Sequence, residues 1–100
     1  MEKINIAIAD DNERMIALLD EILSKDEGIE VVGRANNGEE AYDIIKKKEP
    51  DVVLLDIIMP KMDGLTVMDK VNRDTTMKKH PKFIIITAIG QEGITEDAFG

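Results

Sequence analysis

The chain has 100 residues, about one small domain with no room for a second core. Its 13 Lys and Arg against 21 Asp and Glu leave a net charge of −8, which repels phosphate backbones and argues against direct nucleic-acid binding. The absence of cysteine excludes disulfides, thiolate catalysis and cysteine-ligated metal sites. With 43% hydrophobic residues but no Trp, one Tyr and two Phe, the core is expected to be aliphatic. The apolar runs are too short to span a bilayer, and Met1-Glu2-Lys3 leads into a strand-like run without a signal peptide. A soluble, cytoplasmic domain with no membrane role is the expectation.

Strand-like and helix-like segments alternate. Ile4-Asn5-Ile6-Ala7-Ile8-Ala9 reads as a first strand that stops at Asp10-Asp11-Asn12. A helix-period stripe of Met15, Ile16, Leu18, Leu19, Ile22 and Leu23 follows, with Asn12 as its N-cap. Residues 29–35 form a second strand, closed by Asn36-Asn37-Gly38. A second helix over 39–48 turns Ala41, Ile44 and Ile45 inward and ends in Lys46-Lys47-Lys48, where the helix dipole favours cations. Val52-Val53-Leu54-Leu55 makes the third strand, after Pro50 and before Asp56. Leu65, Val67, Met68 and Val71 mark a third helix. Phe83-Ile84-Ile85-Ile86 is the fourth strand and ends at Thr87, and a fourth helix begins near Ile94. Continuous apolar strands alternating with helices predict an α/β fold: a doubly wound parallel sheet with right-handed crossovers and helices on both faces.

Three of these strands end on a polar or reactive side chain: Asp10 and Asp11, Asp56, and Thr87. Ligands of open parallel sheets bind outside the carboxyl ends of the strands. With a strand order of 2-1-3-4, strands one, three and four are neighbours and these residues meet in one pocket. Three carboxylates so close repel one another, and a hard divalent cation resolves the conflict. A Mg²⁺ site is therefore expected, with Mn²⁺ or Ca²⁺ as substitutes. A cation held by few protein ligands leaves room for a phosphoryl oxygen, and Asp56, alone at its strand end, is the candidate nucleophile toward phosphorus. Thr87 is placed to donate its hydroxyl to the arriving phosphoryl group.

These residues resemble the receiver domains of response regulators in two-component and phosphorelay systems. Asp10-Asp11 is similar to the family's acidic pair. Residues 54–64, Leu-Leu-Asp-Ile-Ile-Met-Pro-Lys-Met-Asp-Gly, are similar to its phosphoacceptor block, and Ile84-Ile85-Ile86-Thr87-Ala88 to the strand carrying its switch hydroxyl. The resemblance implies the flavodoxin-like order 2-1-3-4 and phosphorylation of Asp56. It also implies metal ligation by Asp11, Asp56 and the Ile58 backbone carbonyl, with Asp10 acting mostly through water, and closure of Thr87 on the phosphoryl group. Within the family, residues 6–12, 56–60 and 87–92 are most like receivers of sporulation regulators from endospore-forming bacilli. That likeness implies a histidine phosphotransferase or sensor kinase as phosphodonor. It also implies a transcription factor that reaches DNA only through a C-terminal effector domain.

One departure stands out. The family carries a lysine followed by proline after a fifth strand, and an aromatic switch residue on that strand. This chain is expected to be a receiver domain over residues 1–100 that is C-terminally incomplete, lacking the fifth strand and last helix. Lys61, Lys78, Lys79 and Lys82 lie in the wrong places to replace the lysine. Slower phosphorylation, a weakened switch and self-association through the uncovered sheet edge, as a homodimer or otherwise, are the expected consequences.

The other residues have plainer readings: His80 in a surface loop, Met15 and Met68 as core filling, and the lysine run as a solvated helix end. Asn12, Arg14 and Met15 are candidate partner contacts. Gly64 is expected to relieve a backbone conformation costly for other residues. Two alternatives stay open: an inert receiver-like interaction domain, and a Mg²⁺-dependent aspartyl-phosphate hydrolase, whose usual D-x-D first-strand pattern is replaced here by Asp10-Asp11-Asn12.

Overall fold

The computed structural model describes residues 2–59 and 61–86. In chain order the elements are β1 (Ile4–Ala9), α1 (Glu13–Ser24), β2 (Ile29–Ala35), α2 (Gly38–Lys48), β3 (Val52–Asp56), α3 (Gly64–Arg73) and β4 (Lys82–Ile86). The four strands form one parallel sheet in the order β2-β1-β3-β4, as expected. Thr87 and the helix expected near Ile94 lie outside the described residues.

Side-chain alternation along the two central strands divides the core into two layers. Ala7 and Ala9 of β1 and Val53 and Leu55 of β3 point to one face, where Ala41 and Ile45 of α2 and Val67 and Val71 of α3 close over them. The small alanines let the α2 and α3 backbones approach the sheet. Ile6, Ile8 and Leu54 point to the other face, against Ile16, Leu19 and Leu23 of α1.

The β1–β2 register slips between Ile6 and Ala7, where Ile6 pairs with Val31 but Ala7 pairs with Gly33. This bulge keeps the later residues of β2 in phase with β1. Gly33 faces α2, where the Ile44 side chain fills the space a β-carbon would need. Arg34 turns to the α1 side and pairs with Asp20 at 2.7 Å.

Two helices bury less than their periodicity predicts. Leu18 and Ile22 of α1 are 50% and 52% exposed, and Leu65 of α3 is exposed as well, so none of the three belongs to the inward stripe. One sheet face offers a helix only a narrow apolar strip, and residues flanking that strip stay in solvent. β4 also departs from the doubly buried strand expected of its apolar run: Ile84 is 53% exposed on the α1 side, although Ile86 packs against that layer. Among the described residues β4 borders the sheet, so its apolar run meets a neighbour along one side only. Among the described residues the buried methionines are Met59 and Met77, not Met15, while Met68 packs at the margin of the core as expected.

Candidate functional site

β1 and β3 are adjacent and parallel, so their carboxyl ends emerge side by side. β1 ends in a turn in which the Asn12 N–H donates to Asp10 Oδ1 (2.8 Å). The Asn12 side chain then caps α1, accepting from the N–H groups of Arg14 and Met15. β3 ends the same way, with the Ile58 N–H donating to Asp56 Oδ1 (3.1 Å). These short-range turns orient both carboxylates and commit one oxygen of each. Each of these oxygens keeps a second lone pair that a cation can use, and the other oxygen of each carboxylate is left for a further role.

Asp10, Asp11 and Asp56 each bring a carboxylate oxygen into a group whose members lie within 4.8 Å of one another. Asp10 and Asp56 are buried, at 5% and 6% exposure, and Asp11 is exposed. Burial pushes the Asp10 carboxyl above its ordinary range, and the charge of Asp11 adds to the shift. Burial likewise raises Asp56, reinforced by the charges of Asp10 and Asp11. None of the ion pairs among the described residues includes any of the three.

A crowded set of hard oxygen donors without a cationic side chain fits a divalent cation of the magnesium type. Burial of two donors limits competition from water, and the exposed third leaves an opening for a partner. The residues present therefore suit Mg²⁺ on the chemistry of their donor set.

The loop after Asp56 is anchored at its far end. The Gly64 N–H donates to the Ile57 carbonyl (2.7 Å), and Asp63 caps α3 by accepting from the Thr66 N–H (2.8 Å). Gly64 is required for a reason other than the one expected. It begins a helix with ordinary backbone angles, but the Asp56 carbonyl occupies the space of its missing β-carbon and Ile57 Cα is 2.8 Å from that point. Among the described residues of this loop, Lys61 adopts the left-handed backbone, with φ of 71°. Ile58 projects outward with 75% exposure, while Met59 is buried beneath it.

The structure thus brings together Asp10, Asp11 and Asp56, with Ile58 attached to Asp56 through its backbone, whereas Thr87 lies outside the described residues. Asn12 and Arg14 are exposed beside the cluster and Met15 is half-buried. Lys79 pairs with Asp51 at 2.6 Å, at the start of β3, and is thereby far from the carboxyl end of that strand. His80 is exposed, as expected, and its Nε2 lies 2.9 Å from the Asp74 carbonyl oxygen. Sequence reading missed the caps Asn37 and Asp63, though an Asn or Asp three residues before a helical N–H is a recognisable signal.

The family model for the response regulator receiver domain matches residues 6–100. Among solved structures, the chain is 32% identical to the signal receiver domain of NarL from Mycobacterium tuberculosis, with a TM-score of 0.81 covering 98% of this chain and 77% of that one. It is 33% identical to a chain of the CheX–CheY–BeF3–Mg²⁺ complex from Borrelia burgdorferi, with a TM-score of 0.77 over 96% of this chain and 70% of the other. The response regulator domain of Thermotoga maritima CheB is 31% identical, again with a TM-score of 0.77, over 97% and 71% of the two chains.

Proposed function

Since this chain belongs to the response regulator receiver domain family, we propose that it is a phosphoacceptor module that receives a phosphoryl group on Asp56. The observation that carries this reading is the convergence of Asp10, Asp11 and Asp56 at the carboxyl ends of two neighbouring strands.

Asp10, Asp11, Asp56 and the Ile58 backbone carbonyl are the ligands we assign to Mg²⁺, and the Mg²⁺ in the Borrelia burgdorferi complex supports the choice of ion. Bound there, it would neutralise the carboxylates and draw charge from the phosphoryl oxygens. The Ile58 N–H holds Asp56 by one oxygen, so the other is the attacking atom. That oxygen forms the O–P bond while the P–N bond of a phosphohistidine donor breaks, and the imidazole nitrogen keeps the electron pair. Thr87, next after β4, is assigned the hydroxyl that closes on the product.

The donor in this reading is a histidine phosphotransferase or sensor kinase. The likeness of residues 6–12 and 56–60 to sporulation receivers supports placing the module before a transcription factor in a cytoplasmic phosphorelay, with DNA contacted only by an effector domain further along the chain. No helix among the described residues is long and apolar enough to cross a membrane. Exposed Ile84 on the bordering strand supports self-association, which a strictly monomeric species in light scattering at high concentration would disprove.

Incubation with acetyl phosphate and Mg²⁺, followed by intact-mass measurement, tests the main assignment. One phosphoryl adduct is expected, absent from Asp56→Asn. An adduct that persists in that variant, or none from any donor, overturns it.

A further inference from the structure

We propose that Gly38, the first residue of α2, is a positioning residue for the loop that follows Asp56; the consequence for metal binding rests on the phosphoacceptor reading above. The Met62 carbonyl oxygen occupies the space a β-carbon on Gly38 would need, and the Met62 Cβ and carbonyl carbon are 2.5 and 2.6 Å from that point. The loop backbone therefore lies directly on the first turn of α2.

The conformation of Gly38 itself does not call for glycine, because its φ lies outside the left-handed region. Helix propensity would favour alanine there. Close approach is the remaining reason for glycine, and it differs in kind from the crowding at Gly33. There the obstacle is the Ile44 side chain, whose displacement stays between β2 and α2; at Gly38 it is backbone, which cannot yield without moving the loop.

Of the two partners, the loop is the one that gives way. α2 is held by buried Ala41 and Ile45 and by the Asn37 cap, whose side chain accepts from the Glu40 N–H at 2.9 Å. The loop exposes Ile58, Lys61 and Asp63 and is held by buried Met59 and by its Gly64 end, with Met62 only half-buried between them. A side chain at position 38 thus pushes Met62 and, along the same short loop, shifts the Ile58 backbone that orients Asp56. Gly38 acts on the site only through this loop.

The test compares Gly38→Ala with Gly33→Ala, a second crowded glycine whose obstacle is a side chain of α2 and not the loop backbone. In metal-free protein, the Ile58 and Gly64 amide resonances are expected to shift in Gly38→Ala and to stay in place in Gly33→Ala. With MgCl2 as the titrant, Gly38→Ala should weaken binding by about 10- to 100-fold, the range for supports of metal ligands, and Gly33→Ala by less than about twofold. Should Gly38→Ala fail to fold, Asn37→Ala loosens the same turn without added bulk and should move the same amides. Unmoved Ile58 and Gly64 amides in whichever of these two variants is folded overturn the proposal, as does unchanged Mg²⁺ affinity alongside wild-type binding. If the wild type binds no Mg²⁺, the phosphoacceptor reading fails, while the metal-free amide shifts still decide the role of Gly38.

Discussion

Tyr42 of α2 donates its hydroxyl proton to Asp74 Oδ2 at 2.8 Å, tying that helix to the residue that caps the end of α3. Asp74 also accepts from the Thr76 N–H and hydroxyl, and Lys46 stands 3.4 Å away. The Thr76 and Tyr42 hydrogen bonds hold its carboxyl well below the ordinary carboxylate range. Tyr42→Phe keeps the ring, over which Lys46 and Lys70 both lie, and removes only the hydroxyl. The melting temperature should fall by a few degrees, read by calorimetry, with Mg²⁺ affinity unchanged because the contact is remote from the carboxylate cluster.

Stability should depend on pH in two opposed windows. Asp20, Asp51 and Asp74 are depressed below the ordinary value of 3.8 by Arg34, by Lys79 and by the Thr76 hydrogen bond respectively. Their stabilisation is complete above that value and is lost as pH falls through the lower, folded-state pKa values. Asp10 and Asp56 are raised, so the folded state holds their protons more tightly than the unfolded chain. Their contribution is complete below 3.8 and disappears as pH rises through the raised values. Urea unfolding without metal should therefore show declining stability across that upper window, and added Mg²⁺ should reverse the decline by binding the ionised carboxylates.

Asp10→Asn removes one buried negative charge while retaining an oxygen to accept from the Asn12 N–H. Without metal the variant should be more stable than wild type by on the order of 1 kcal/mol. In excess Mg²⁺ the order should reverse. Denaturant midpoints measured with and without MgCl2 give both signs from one pair of proteins.

Adjacent leucines of α1 should respond differently to truncation. Leu19 packs against the Ile6, Ile8 and Leu54 layer, so Leu19→Ala should cost about 1–3 kcal/mol. Leu18 is half exposed, and Leu18→Ala should stay within about 0.5 kcal/mol of wild type. Thermal melts of the two variants check the assignment of the buried strip.

That contrast marks where the sequence becomes hard to read. The parallel sheet was legible because Val52-Val53-Leu54-Leu55 and Ile6-Ala7-Ile8-Ala9 are apolar on both sides, and the carboxylate cluster because Asp10, Asp11 and Asp56 close such runs. Periodicity locates the centre of a helix stripe but not its width, so it cannot separate Leu18 from Leu19 or Leu65 from Val67. Glycine poses a similar problem. Gly38 and Gly64 are crowded by backbone atoms outside their own helices, while left-handed positions fell to Glu49 and Lys61, where no residue type announced them. The division between core methionines and peripheral ones depends on loops reaching back to the sheet, as Met59 and Met77 do.

Placing β1 at the centre of the sheet has a consequence for synthesis on the ribosome. β1 emerges first, yet one of its edges has no partner until β3 appears, and the Asn5 N–H waits across 46 positions for Asp51. At about 5–20 residues per second those 46 positions take about 2–9 s, during which Ile6, Ala7, Ile8 and Ala9 keep one edge of an apolar ribbon unpaired. The newborn chain thus passes through an interval in which chaperone capture or misassembly competes with closure of its own middle.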